Sequence, residues 1–266
     1  MSLRIALGVD YEGSNYFGFQ KQKATHQTIQ GHLESSISKV ADQQVKTYCS
    51  GRTDAGVHAL LQVIHFDTTS SRSEFEWIRG INSYLPSDIR VLWSKEVSES
   101  FHARFSAISR CYQYKIYNDK IFSGLWTKRS LFVTQNLDIA SMQKASQYLL
   151  GEHDFSSFRG SGCQSKTAIR EVEDIKVIKK NNIITIDIQA NAFLLHMVRI
   201  IVGTLLMVAK RELDPEDVRT ILNKKDRKIA GKTVSPSGLY FLGPKYPNNF
   251  DTVSYTHLTL PTSLAV

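Results

Sequence analysis

Val172-Glu173-Asp174-Ile175-Lys176-Val177-Ile178 and Ile183-Ile184-Thr185-Ile186-Asp187-Ile188-Gln189-Ala190 are two runs rich in alternating apolar residues, separated by Lys179-Lys180-Asn181-Asn182. A period of two places one set of side chains on one face of a strand, and β-branched residues suit that pleated surface. Asn181-Asn182 tolerates the backbone of a tight turn, so the two runs read as a β-hairpin. What flanks the hairpin decides the fold. Before it stand a strand pattern from Cys111 to Tyr117 and a helical pattern from Ile139 to Leu150. After it come an apolar helix from Leu194, a small helix capped by Asp214 and opened by Pro215, and a last strand over Leu239–Leu242. Apart from the extra helix the order is β-α-β-β-α-β, the split βαβ arrangement of a four-stranded antiparallel sheet backed by helices.

The first half carries the same order. Ile5, Leu7 and Val9 alternate through a strand over Arg4–Tyr11, and Ile29, Leu33, Ile37 and Val40 recur at helical spacing behind the cap Thr28. Strands follow over Val45–Ser50 and Leu60–Asp67, then a short helix marked by Phe75, Ile78 and Ile81, then a strand over Ile89–Val97. The sequence therefore predicts an α+β fold of two ferredoxin-like halves, residues 1–104 and 105–252, each with an antiparallel sheet. Residues 253–266 carry no formal charge and no packing period, and Val-Ser-Tyr-Thr-His-Leu resembles translated sequencing-adapter DNA. That segment is expected to be a non-native tail outside the fold.

The 266 residues, 42% apolar and 22% charged, suit a globular protein with room for one large or two modest cores. The most apolar stretch, Phe193–Ala209, holds His196 and Arg199 and falls short of the roughly 20 residues of a spanning helix. It reads as a buried helix, and no membrane association is expected. No secretory leader pattern opens the chain. Cys49, Cys111 and Cys163 are far apart and form no C-x-x-C pair, which points away from zinc and disulfides and toward the reducing cytosol. The net charge of +8 is uneven: residues 1–100 hold 10 Lys/Arg against 11 Asp/Glu, and residues 101–252 hold 23 against 14. Such asymmetry favours a polyanionic partner met mainly by the second half.

Between the second and third strands of the first half lies Gly51-Arg52-Thr53-Asp54-Ala55-Gly56-Val57-His58-Ala59. Glycines near both ends allow sharp turns and close approach of a ligand. Arg52 and Asp54 are two apart, so an extended loop presents both on one side. As a bare turn, Asp54 would bond its own backbone.

The whole run resembles the catalytic motif of the TruA family of tRNA pseudouridine synthases. Further family patterns follow in the family's order: Tyr11–Gln20, Phe101–Phe105, Arg110–Tyr114, Gly151–Phe155, Cys163–Thr167 and Asn191–Arg199. The resemblance implies that the two sheets join around a central cleft and that Asp54 is the catalytic carboxylate. Making pseudouridine breaks an N-glycosidic bond, turns the free base and rejoins it through carbon. A carboxylate serves this by attacking C1′ or C6, or by removing the C2′ proton; the residues leave that choice open. By resemblance Tyr112 stacks on the target base, and Arg52 fills the flipped nucleotide's space or holds its phosphate. Arg72, the run Phe101, His102, Ala103, Arg104 and Phe105, and the run Gly162, Cys163, Gln164, Ser165 and Lys166 match RNA-contacting stretches. His58, His102 and His196 also match family motifs, but no chemical role is assigned to them. A homodimer acting on uridines 38, 39 and 40 of the tRNA anticodon arm, without cofactor or metal, is implied as well.

Arg199 carries a separate argument. In Met197-Val198-Arg199-Ile200-Ile201-Val202 an unpaired guanidinium is costly, so an anion is expected beside it. Asp54 is the partner the resemblance implies. Two rival classes fit less well. A glycoside hydrolase normally needs a second carboxyl group, for which Asp67 and Asp154 lack a motif. A non-catalytic RNA-binding module of ferredoxin-like type would show an aromatic-rich RNP1 strand, and none is present.

Overall fold

The computed structural model describes residues 2–25, 27–248 and 250, so the expected non-native tail at 253–266 lies outside the described residues. The first half contains β1 (Leu3–Tyr11), α1 (Ile29–Ala41), β2 (Tyr48–Cys49), β3 (His58–Thr68), α2 (Glu74–Tyr84) and β4 (Ile89–Val97). Local chemistry starts its helices: Thr28 Oγ1 accepts the Gly31 N–H at 3.2 Å, and Ser73 and Glu76 form a reciprocal capping box. The second half contains β5 (Ser109–Asn118), β6 (Leu131–Val133), α3 (Ile139–Gln147), β7 (Gly151–Asp154), β8 (Ile169–Lys180) and β9 (Ile183–Ala190). It ends with α4 (Met197–Ala209), α5 (Asp217–Lys224) and β10 (Leu239–Lys245).

All ten strands form one mixed sheet. Eight run in the order β4-β1-β3-β10-β5-β9-β8-β7, while β2 pairs with β3 and β6 with β5. Within the first half the order is β4-β1-β3-β2, and within the second β10-β5-β9-β8, with antiparallel neighbours throughout both runs. The expectation of purely antiparallel sheets needs correction in two places: the short edge strand β6 runs parallel to β5 within the second half, and a second parallel pairing forms where the halves meet. There β10 lies parallel to β3, pairing Tyr240 with His58 and Phe241 with Ala59. The reason is that β10 is already antiparallel to β5, and its other edge meets β3 in the direction that β3 leaves the Asp54 loop.

The second strand is also shorter than expected. The predicted Val45–Ser50 strand is reduced to Tyr48–Cys49, which pair with His65 and Ile64, while the Val45 and Thr47 N–H groups turn to α1, donating to Ser38 Oγ at 3.1 Å and to the Glu34 carboxylate at 3.0 Å. The hairpin of β8 and β9 forms as expected, with Asn181 at φ 52°. The start of the apolar helix moves from Leu194 to Met197, since His196 takes a left-handed φ of 59° that interrupts helical geometry. At α5 the expected cap is reversed: the Asp217 carboxylate accepts the Asp214 N–H at 2.9 Å. Periodicity does not anticipate strands β6 and β7; both are short edge elements without a usable alternation.

Helices α1 with α2, and α3 with α4, pack over the sheet. One apolar cluster runs without a break from Ile5, Leu7 and Val9 in β1 through Tyr112 and Phe241 to Ile200 and Leu205 in α4. A second, smaller cluster gathers Ala6, Val63, Trp93, Phe101 and Ala103 on the opposite face of the first half's sheet. Phe241 is fully buried at the seam, its ring 4.9 Å from that of Tyr112. Replacing Phe241 with Ala should cost about 3–5 kcal/mol of stability. Because the core is continuous, urea denaturation should still show one cooperative transition; a loss under about 1 kcal/mol or a two-step unfolding would contradict this reading of the seam.

Candidate active site

The Asp54 loop is braced before any ligand arrives. Ser50 N–H bonds Val63 O at 2.8 Å, and the Gln62 side-chain amide donates to Gly51 O at 2.6 Å. Thr53, itself buried, bonds Tyr11 Oη through its hydroxyl at 2.7 Å, while its carbonyl accepts the Phe19 N–H at 3.0 Å. The loop then turns through Val57 N–H to Asp54 O at 3.2 Å, with Gly56 at φ 77°, a conformation that suits glycine. Asp54 is thereby lifted to a half-buried position while the residues on either side of it are pinned.

His58, the first residue of β3, ties this loop to two distant segments. Its Nδ1 accepts the Gly13 N–H at 3.2 Å, so Nε2 carries the proton and faces Lys128 O at 2.9 Å and Ser237 O at 3.1 Å. Burial lowers its pKa, and the nearby Glu12 carboxylate, 3.3 Å from Nδ1, only partly offsets this. The neutral ring stacks on Tyr240 of β10 with centroids 4.7 Å apart. His58 is thus a structural clamp.

Four side chains converge on the junction of the halves. Asp54 Oδ2 lies 3.4 Å from Arg199 Nη1 and 3.4 Å from His196 Nε2. Arg199 and Asp54 are separated by 145 residues in sequence. The Arg199 side chain is 13% exposed, and its Nε donates to Val234 O at 2.8 Å, which aims the remaining nitrogens at the loop. The predicted need of Arg199 for an anion is met by Asp54. Tyr112 stands close by, 8% exposed and packed edge-on against Phe193 at 5.0 Å. Burial first, and then the fields of Tyr11 and Asp54, push its hydroxyl pKa upward. A Cβ on Gly51 would lie 3.9 Å from Tyr112 Oη, so the tyrosine's polar end points at the Asp54 loop. Tyr112, Tyr114 and Ile116 share one core, as their spacing suggests.

The contact of His196 with Asp54 goes beyond what the sequence reading assigned. A signal for it is present in the sequence: His196 and Arg199 are three apart where a helix begins, a spacing that puts both on one side.

The other expected contacts lie at different distances. Arg52 is exposed on the rim of the loop. Phe101 and Ala103 are buried in the small cluster, whereas Arg104 and Phe105 are exposed, the guanidinium 5.5 Å above the Phe105 ring. His102 lies between Phe105, whose ring is tilted to it at 4.4 Å, and His65, which it meets edge-on at 4.6 Å. Arg110 joins this segment to the start of the Asp54 loop by donating to Arg104 O and to Ser50 O. Gly162, Gln164 and Lys166 are exposed on a loop held by Arg159, which donates to Cys163 O at 2.8 Å and Ser165 O at 2.7 Å. Arg72 is not brought to Asp54. It pairs with Asp42 beyond the far end of β3. That strand spans 11 residues, roughly 35 Å at a strand's rise.

Among the described residues no group of three or more His, Cys, Asp or Glu is arranged to hold a metal ion, and no helix is long and apolar enough to cross a membrane. The arrangement offers one half-buried carboxylate flanked by two nitrogen groups at the junction of the halves. Such a carboxylate can act as a nucleophile or base, with the guanidinium holding it in place.

A family model described as tRNA pseudouridine synthase matches residues 8–106 and 145–247. The tRNA pseudouridine synthase A of Coxiella burnetii is 49% identical over 247 residues, covering 93% of this chain and 94% of its own. The protein of the same name from Buchnera aphidicola is 51% identical over 248 residues, covering 93% and 94%. That from Shewanella piezotolerans is 47% identical over 248 residues, covering 93% and 95%. Among solved structures, a chain of a Cbf5-Nop10-Gar1 complex aligns with 89% of this chain and 48% of its own at 10% identity and a TM-score of 0.34, too loose a likeness to carry an argument.

Replacing His58 with Ala strips partners from Gly13 N–H, Lys128 O and Ser237 O. The loss should be roughly 1–3 kcal/mol for groups left unsatisfied, read as a lower urea midpoint. An unchanged midpoint would show that His58 is not a clamp.

Proposed function

The chain belongs to the TruA family of tRNA pseudouridine synthases, and from that premise we propose that it isomerises uridines 38, 39 and 40 of the tRNA anticodon arm with Asp54 as the catalytic group. The observation that carries the residue assignment is the convergence of Arg199 and His196 on a single oxygen of Asp54, at the junction of the two halves. The reaction is redox-neutral and needs no second substrate. The C1′–N1 bond breaks, a C1′–C5 bond forms, the C5 hydrogen leaves as a proton, and N1 takes up a proton. No cofactor is called for.

In this reading the target uridine leaves the helical stack to reach Asp54. Arg199 orients the carboxylate and balances its charge. Tyr112 meets the base from the β5 side, Arg52 stands at the mouth, and the 101–105 and 162–166 segments contact RNA on either side. Arg72 would touch RNA far from the reacting base. We read residues 1–104 and 105–252 as two split βαβ halves around the cleft, and the working enzyme as a cytoplasmic homodimer. The like strand orders of the halves support the first of these points. A glycosidase reading gains nothing from the geometry, since the groups that converge on Asp54 are nitrogen donors rather than a second carboxylate.

Asp54→Asn should abolish tritium release from tRNA labelled at uridine C5 while leaving tRNA binding within a few-fold of the parent, because the amide keeps the shape and loses the carboxylate chemistry. Turnover close to that of the parent would remove Asp54 from the mechanism. Tyr112→Phe should keep the ring and hence base placement, whereas Tyr112→Leu should raise KM or lower kcat by the loss of about 1–3 kcal/mol of stacking. If both variants turn over like the parent, Tyr112 only packs the core.

A further inference from the structure

We infer that His196 is a positioning residue which, together with Arg199, holds Asp54 by Oδ2 and so presents Oδ1 to the target nucleotide. This rests on the synthase reading with Asp54 as the catalytic group, and adds to it the oxygen that reacts and the residue that selects it. Arg199 Nη1 and His196 Nε2 each lie 3.4 Å from Oδ2. Among the described residues no hydrogen bond or ion pair falls on Oδ1, and the Asp54 side chain is 31% exposed.

A free carboxylate turns easily about its bond to Cβ, so either oxygen could face a ligand. One contact fixes a point on the group and lets the rest swing about it. A second contact on the same oxygen, from another residue, fixes where the other oxygen lies. Arg199 reaches Oδ2 from within α4, its Nε tethered to Val234 O, and His196 reaches it from the residue just before that helix. An ionised carboxylate oxygen accepts about two hydrogen bonds, so the two nitrogens engage Oδ2 and leave the lone pairs of Oδ1 unengaged.

The backbone at His196 is strained, with φ 59° and ψ 6°, a left-handed conformation unfavourable for a residue with a side chain. It stands at the N-cap of α4, yet its side chain makes no capping hydrogen bond, unlike those of Thr28 and Ser73 at α1 and α2. The ring is turned to Asp54 instead. A Cβ on Gly160 would fall 3.0 Å from His196 Nδ1 and 3.2 Å from its Cβ, and Gly160 N–H donates to Leu195 O at 2.8 Å. The absence of a side chain at Gly160 thus lets the chain close on the Nδ1 edge of the ring while Nε2 meets the carboxylate. That group only accepts, so Nε2 carries the proton. Backbone strain of this kind persists where neighbouring contacts hold it, and it gathers at reacting centres.

The test uses the full-length protein with His196→Gly, His196→Phe and His196→Gln. Gly suits the left-handed backbone and removes the imidazole without straining the turn. Phe keeps a ring of similar shape without an N–H, and Gln keeps an N–H at a similar reach. Tritium release from tRNA labelled at uridine C5 gives kcat and KM, and fluorescence anisotropy gives the affinity for unmodified tRNA. The Gly and Phe variants should lose on the order of 10²-fold in kcat, the cost of a misplaced reacting atom, while KM and affinity stay within a few-fold of the parent. His196→Gln should recover on the order of 10-fold of that loss through its N–H. A packing role would instead be met by Phe and would leave Gln no better than Gly. Parental kcat in the Gly variant overturns the proposal, as does a rise in KM alone or a Gln variant that recovers nothing. Should the Phe variant fail to fold, the comparison of Gly with Gln decides. A parent that turns over beside unaltered variants overturns this proposal alone. A parent that releases no tritium overturns the synthase reading and this proposal with it.

Discussion

Insertion of β10 between β3 and β5 is the constraint on which the rest depends. A strand edge with unpaired N–H and C=O groups has to be satisfied, and here one strand serves the edges of both halves. Leu239, Tyr240 and Phe241 pair with Tyr114, Gln113 and Tyr112 on one side, while Tyr240 and Phe241 meet His58 and Ala59 on the other. The parallel pairing is only two residues long, yet those two residues immediately follow the Asp54 loop. The seam thus fixes the origin of the catalytic loop against the strand that carries Tyr112. The chain leading into β10 also passes α4 and delivers Val234 to Arg199.

Electrostatics at the centre follow from that packing. Arg199 lies in a helix whose other residues are almost all apolar and buried, so its charge requires an anion at close range. Asp54 supplies it from the other half of the protein. In the proposed mechanism this carboxylate does double duty, as reagent and as the counter-ion of a nearly buried cation. The buried histidine that follows the loop behaves differently. His58 is held neutral by burial and works through its hydrogen bonds, so the two histidines near the site have distinct tasks: His58 holds the loop and His196 faces the carboxylate.

Exposed basic side chains stand in separate places, Arg104 over Phe105 in the segment after β4 and Lys166 on the loop held by Arg159. Aromatic and cationic side chains alternate on the first of these, through Lys46 over Tyr48 and Arg104 over Phe105. Such surfaces combine stacking with counterion release and are tolerant of sequence, which suits an enzyme of the tRNA pseudouridine synthase family.

The sequence by itself determined the parts whose causes are local. Alternation in 183–190 defined β9, Thr28 started α1, and the hairpin turn fell at Asn181 as its residue type allows. The Asp54 run and the lone arginine in an apolar helix were also legible, one as a family motif and the other as a charge in need of a partner. Tertiary structure alone decided the parallel seating of β10, the shortening of β2 to two residues, and the contact of His196 with Asp54. Each depends on which strand edge is free, on side chains of a neighbouring helix or on residues more than 100 positions apart, and neither periodicity nor capping carries that information.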